Sequence, residues 1–142
     1  MIYTDNTNKA LRLMYEKHSG QLDKSGMPYD FHPFHVAEQM TDEKTTVTAL
    51  LHDLIEDTDC TLEQLREMGF DEEVLEAVSL LTRDKSLSYA DYIRRLKDNR
   101  IAAAVKRADL RHNSDLTRLD AIDERAMYRL RKYREALLIL SE

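Results

Sequence analysis

Apolar residues recur at helical spacing along nearly the whole chain, and little glycine or proline interrupts them. Three Gly and two Pro in 142 residues are few for an all-β or loop-rich protein. The spacing predicts helices over about 5–18, 34–41, 43–57, 72–81, 89–98, 101–114 and 123–141, with a short one from Thr61 between the third and fourth. Thr61 with Gln64 has the form of a capping box, and Gly69 stands where a helix stops. The longest irregular stretch is "SGQLDKSGMPYDFHP", which holds two of the glycines and both prolines. Nothing reads as a sheet. The expectation is an all-α, single-domain helical bundle over 1–142, with about seven or eight helices and short connections.

Charge and cysteine content narrow the function. A net charge of −6 disfavours binding to a nucleic-acid polymer, although a local basic cleft can still accept a small phosphate-bearing molecule. Cys60 is the only cysteine, so no internal disulfide forms, which suits a reducing compartment. The N-terminus lacks the layout of a signal peptide, and no apolar run reaches the roughly 18–20 residues that span a bilayer. A cytoplasmic location without membrane contact is expected.

The stretch "LLHDLIEDT", Leu50 to Thr58, is where the helical pattern acquires chemistry. Leu50, Leu51, Leu54 and Ile55 take most of the circumference, and His52, Asp53, Glu56 and Asp57 crowd the remaining flank at four-residue spacings. Charge in so apolar a segment is costly without a partner. At the end of a helix, moreover, the dipole favours cations rather than acids. A divalent metal answers both problems, since imidazole and carboxylate suit zinc, manganese and iron. His32, in "YDFHPFHVA", and Asp109, a lone acid among Ala103, Ala104, Val105, Ala108 and Leu110, complete a set of two nitrogens and two oxygens. Such a set leaves room for a water whose proton is readily lost. Other readings stay open on spacing alone. His35 and His112 could equally be ligands, Asp109 could pair with Lys106, Arg107 or Arg111, and Asp57 and Asp59 could be turn acids.

The segments "GMPYDFHPFHVA", "ALLHDLIEDT" and "VKRADLRHN", in this order, resemble the HD-domain phosphohydrolases. The likeness is greatest to the (p)ppGpp hydrolase domain of the Rel/Spo-type stringent-response enzymes and to stand-alone small alarmone hydrolases. It runs from about His18 to the last helix. The resemblance implies a helical enzyme with one metal, usually manganese, that removes pyrophosphate from the ribose 3′ position of ppGpp or pppGpp. It also implies His32, His52, Asp53 and Asp109 as metal ligands and Glu56 with Asp57 as the acids that work on the water. An orienting contact from Glu56 to His52 is the alternative for the first acid.

For the nucleotide, the resemblance implies Lys24 and Ser25 near the nucleoside, Asn113 on the same helix face as Asp109, and Lys85, Arg129 and Tyr133 toward phosphates. The chain departs from the family pattern at Asp23, where a basic residue usually stacks on the base. It departs again at "ADLRHN" in place of "ADRLHN" and at Leu116 in place of a threonine. All three changes touch substrate recognition. The expectation is a metal-dependent 3′-pyrophosphohydrolase of guanosine alarmones. Its alternatives are an HD-type phosphohydrolase of another nucleotide or phosphorylated cofactor, and a non-catalytic nucleotide-binding module. At 142 residues the chain leaves no room for a synthetase domain beside the hydrolase, so it is expected to degrade the alarmone without making it.

Overall fold

Most helix boundaries follow from side chains that cap the ends. The computed structural model describes residues 1–142 as α1 (Asp5–Lys17), α2 (Phe31–Glu38), α3 (Glu43–Leu51), α4 (Leu54–Asp57), α5 (Leu62–Glu67), α6 (Glu72–Leu81), α7 (Tyr89–Leu96), α8 (Arg100–Asn113), a 3-10 turn at Leu116–Arg118 and α9 (Glu124–Ser141). Asp42, Ser88, Asn99 and Asp123 each accept a first-turn amide at the start of α3, α7, α8 and α9. The Thr61–Gln64 box opens α5 as the sequence predicts, and Gly69 follows it at φ +87°, a left-handed conformation that glycine adopts without strain. No strand forms. The single bridge, Leu22 to Pro28, lies within the long loop.

The all-α expectation therefore holds, with two local corrections. The first concerns α2, which begins at Phe31 rather than near residue 34. Pro33 falls in its first turn, where an amide has no intrahelical acceptor and its loss costs nothing. His32 thus stands on a helix and not at the end of a loop. The second concerns the helix expected over 43–57, which is split into α3 and α4 at His52 and Asp53. An unbroken helix would offer the Ala49 carbonyl to the Asp53 amide. Here His52 Nδ1–H donates to that carbonyl at 2.5 Å, a side chain competing with the helical ladder. The split also raises the number of α-helices to nine.

A core cluster of 30 buried residues draws on helices from α1 to α9. α3 lies at its centre and packs against α1, α2, α6 and α8. Every residue from Thr45 to Leu51 is buried. Leu50, Leu51 and Leu54 are wholly withdrawn from water, each contributing roughly 1.5–3 kcal/mol. The break at His52–Asp53 is thus clamped on both sides by buried leucines, and the polar groups it exposes cannot drift. No helix is long and apolar enough to cross a membrane.

Candidate metal centre and nucleotide cleft

Three helices converge on a buried polar cluster: α2 supplies His32, the end of α3 supplies His52, and α8 supplies Asp109. One donor atom from each lies within 4.8 Å of the others, and all three residues are buried. His32 Nε2 is 2.8 Å from Asp109 Oδ1. With Nδ1–H committed to the Ala49 carbonyl, Nε2 is the His52 nitrogen that faces the cluster. That nitrogen is buried and makes no hydrogen bond. Asp53 Oδ2 lies 3.1 Å from it and 3.9 Å from His32 Nε2. Sequence spacing placed these four residues together, and the fold does bring them together.

Charge within the cluster calls for a cation. Burial alone would raise the Asp53 and Asp109 carboxyls, yet both are held below the usual carboxylate range. His52 does this first for Asp53, and Lys106 together with the imidazoles does it for Asp109. Burial likewise pulls His52 down, but the two carboxylates outweigh it and raise it well above its ordinary value. The donor set therefore attracts positive charge strongly, and a divalent metal fits its two imidazole nitrogens and its carboxylate oxygens.

Further residues orient these donors, and several were not read from the sequence. Tyr29 donates its hydroxyl to Asp53 Oδ2. Burial first, then the Asp53 charge, raises that phenol well above its ordinary value, so it stays a donor. Lys106 Nζ donates to Asp109 Oδ2 at 2.8 Å and Asn113 Nδ2 to Oδ1 at 3.1 Å, so Asp109 has the ion pair that spacing left open, with Lys106 as the partner. His112 Nδ1 is 2.7 Å from His32 Nδ1, and its ring stacks on His35 at 4.0 Å. Burial and the nearby Arg118 hold His112 down at about 4, so it is neutral near pH 7 and can accept the His32 Nδ1–H. That bond fixes His32 as the tautomer whose Nε2 faces the cluster. His35 and His112 thus stand behind the donors instead of among them. The signal for Tyr29 and His112 was present, since both lie inside the quoted motifs.

The acidic pair sits on α4. Glu56 accepts a hydrogen bond from the backbone N–H of Arg83, so its carboxylate is fixed by the α6–α7 connection and does not orient His52. Asp57 is raised above the usual carboxylate range by burial, then by Asp53 and Glu56. Its backbone carbonyl accepts from Gln21 Nε2 at 2.8 Å, which ties the long loop to α4. Gln21 Oε1 in turn receives Nδ1–H of the fully buried His18.

A cleft of about 220 Å³ opens beside the cluster, and His32, Tyr29 and Asn113 belong to both. Lys24, Ser25, Arg129 and Tyr133 line it as well, so the fold gathers five of the six residues expected to meet the nucleotide. Lys85 is the exception. It is exposed on the turn closed by Leu87 N–H to the Asp84 carbonyl, and it lies outside the cleft. Asp23, where the family usually has a basic residue, also lines the cleft. Asp23 Oδ1 accepts the Ser25 and Met27 amides at 2.8 and 3.0 Å, and Oδ2 lies 3.6 Å from Arg118 Nη2. Its charge is spent on the turn and on Arg118, whose side chain lines the cleft and whose Nη1 donates to the His112 carbonyl. The transposed Arg111 is exposed, and Leu110 in its place is buried in the core.

An all-helical fold that gathers His32, His52 and Asp109 from three helices into one polar cluster suits a metal-binding protein. The chain belongs to the HD domain family, whose model matches residues 10–119. Among curated proteins it is 36% identical to the guanosine-3′,5′-bis(diphosphate) 3′-pyrophosphohydrolase of Aquifex aeolicus over 91 residues, which is 61% of this chain and 13% of that one. It is 36% identical to the protein of the same name from Spiroplasma citri over 121 residues, 74% of this chain and 16% of that one. It is 46% identical to the GTP pyrophosphokinase of Myxococcus xanthus over 83 residues, 56% of this chain and 11% of that one. The matched region is thus a small fraction of these relatives' length. A solved structure described as a metazoan ortholog of SpoT that hydrolyzes ppGpp superposes with a TM-score of 0.81 at 27% identity. That match covers 99% of this chain and 88% of the other.

Proposed function

We propose that this protein is a metal-dependent pyrophosphohydrolase that removes the 3′-pyrophosphate of ppGpp or pppGpp. The observation that carries the reading is the continuity of the cleft with the donor cluster: His32 and Asn113 belong to both, so a nucleotide in the cleft presents its ribose to the metal centre. The names of the relatives and of the structural neighbour support the substrate class. His32, His52, Asp53 and Asp109 would hold one divalent ion, with manganese the preferred metal and the cytoplasm the compartment. When bound, that ion supplies Lewis acidity and a water of lowered pKa.

The chain's own residues do the rest. Tyr29 and His112 keep Asp53 and His32 aimed, and Lys106 holds Asp109. The water oxygen bonds to the phosphorus attached at the ribose 3′ oxygen, the bond from that phosphorus to the 3′ oxygen breaks, and pyrophosphate leaves. Asp57, whose raised affinity for protons suits the task, takes the proton that the water loses and returns one to the departing 3′ oxygen. Glu56, fixed by the Arg83 amide, holds the water in line. Lys24, Ser25 and Arg118 face the nucleoside end, and Arg129 and Tyr133 face the phosphates.

The test is incubation of manganese-loaded protein with ppGpp, the adenosine analogue and a nucleotide panel, scoring pyrophosphate against phosphate release. Pyrophosphate from ppGpp is expected. Phosphate release from another nucleotide, with ppGpp untouched, overturns the reading. Glu56→Gln preserves the acceptor for Arg83 and should keep the metal while losing about a hundredfold or more in rate.

A further inference from the structure

The cleft is too small for the whole of the proposed substrate. About 220 Å³ falls below the roughly 300–1,000 Å³ of sites that enclose drug-sized ligands, and the substrate bears two diphosphates. Part of it must project past the rim. Beside Tyr133, which lines the cleft, the protein assembles an unusual group of cations. Arg83, Lys106 and Lys132 all approach the ring of Tyr89, at 5.2, 6.0 and 4.7 Å from its centroid. Lys132 also sits 5.6 Å from the ring of Tyr133, which lines the cleft, so the group adjoins it.

Lys106 has an acid, Asp109. Arg83 and Lys132 have none, since no ion pair in the protein uses either residue. Arg83 Nε is buried and makes no hydrogen bond. A single cation on a ring face is a common stabilising contact. Three on one ring repel one another, and in a chain of net charge −6 with acids to spare, leaving two of them unpaired is not a device for stability. The arrangement lacks an anion. Its position is equally informative, because the backbone of Arg83 holds Glu56 and Lys106 holds Asp109, so the cations border the catalytic centre.

We propose that Arg83 and Lys132, gathered on Tyr89, form a second anion site that takes the substrate's other diphosphate, the one not presented to the His–Asp centre. The inference rests on the alarmone reading for the identity of that diphosphate, and on geometry alone for the site. It gives to Arg83 and Lys132 the phosphate role that the family resemblance implied for Lys85.

The probe is inorganic pyrophosphate, titrated calorimetrically into chelator-treated protein, where the carboxylate-rich donor cluster does not attract an anion. Arg83→Ala leaves the backbone N–H to Glu56 in place. It and Lys132→Ala should each weaken pyrophosphate binding about tenfold, the loss of one charged hydrogen bond, and Lys132→Arg should restore it. With ppGpp and manganese, KM should rise more than kcat falls in both alanine variants. Lys85→Ala should match wild type in the titration. Wild-type protein that fails to bind pyrophosphate, or a double alanine variant that binds it as tightly as wild type, overturns the site. If pyrophosphate binding depends on the pair but ppGpp is not turned over, the anion site stands and the alarmone reading falls.

Discussion

The donor cluster and the cleft lie side by side yet are built in opposite ways. Each donor has a second contact: His52 on the Ala49 carbonyl, His32 on His112 and Asp109 on Lys106, all from helices, and Asp53 on Tyr29 of the long loop. The cleft is formed by a loop, a 3-10 turn and one face of α9, joined by links such as Ser25 Oγ to the Arg118 carbonyl at 2.6 Å. A buried, doubly anchored region fails abruptly when one partner is removed, because the other is left unpaired in a medium of low dielectric. A partly exposed, turn-built region yields gradually. On the proposed function, the chemistry is thus set on the stiff side and substrate choice on the adjustable side.

The sharpest way to break this contrast is Asp109→Ala. It removes a donor and strands Lys106, whose Nζ is buried with no other acid in reach. Metal content and turnover should be abolished, and urea unfolding should show a loss of about 3–5 kcal/mol. A variant as stable as wild type would mean that Lys106 finds water, and that the cluster is less closed than its geometry implies. Next comes His112→Leu, which touches no metal directly. Loss of the His32 Nδ1–H acceptor should weaken metal affinity about 10- to 100-fold. Unchanged affinity would show that α2 alone orients His32. On the cleft side, Asp23→Ala should raise KM for ppGpp about three- to tenfold, with kcat less affected, because it frees the 23–27 turn and Arg118 together. A collapse of metal binding in that variant would erase the distinction between the two regions.

The same division explains what was legible in the sequence. Helices and the clustering of His32, His52 and Asp109 were readable because each is a local or chemical anomaly: a capping box at Thr61 and Gln64, or polar groups set in an apolar run. The break at His52–Asp53 was hidden, because Leu50, Leu51, Leu54 and Ile55 keep the helical period while a side chain takes the Ala49 carbonyl. The fate of Asp23 was hidden because it depends on Arg118, ninety-five residues later by their numbers. Lys85 and Arg83 look interchangeable in sequence, and only the turn at Asp84–Leu87 decides which reaches Tyr89.

The smallest effect tests whether the stiff side owes its order to the helix or to the core. Asp42 caps α3 at the end opposite His52. The Thr45 amide chiefly, with the Thr45 hydroxyl and Arg100, holds its carboxyl below the usual range. A carboxyl lowered in the folded state contributes stability above its unfolded value of roughly 4 and loses it as pH falls through the lower folded value. Asp42→Ala should therefore cost about 0.5–2 kcal/mol at neutral pH, and the difference from wild type should shrink as pH falls below about 4. Metal affinity should not move, because Thr45 to Leu51 are buried along the whole length of α3 and the core, not the cap, fixes where His52 stands. Weakened metal binding in Asp42→Ala would place the order of the donors in the helix itself, and the contrast with the cleft would then be one of secondary structure and not of burial.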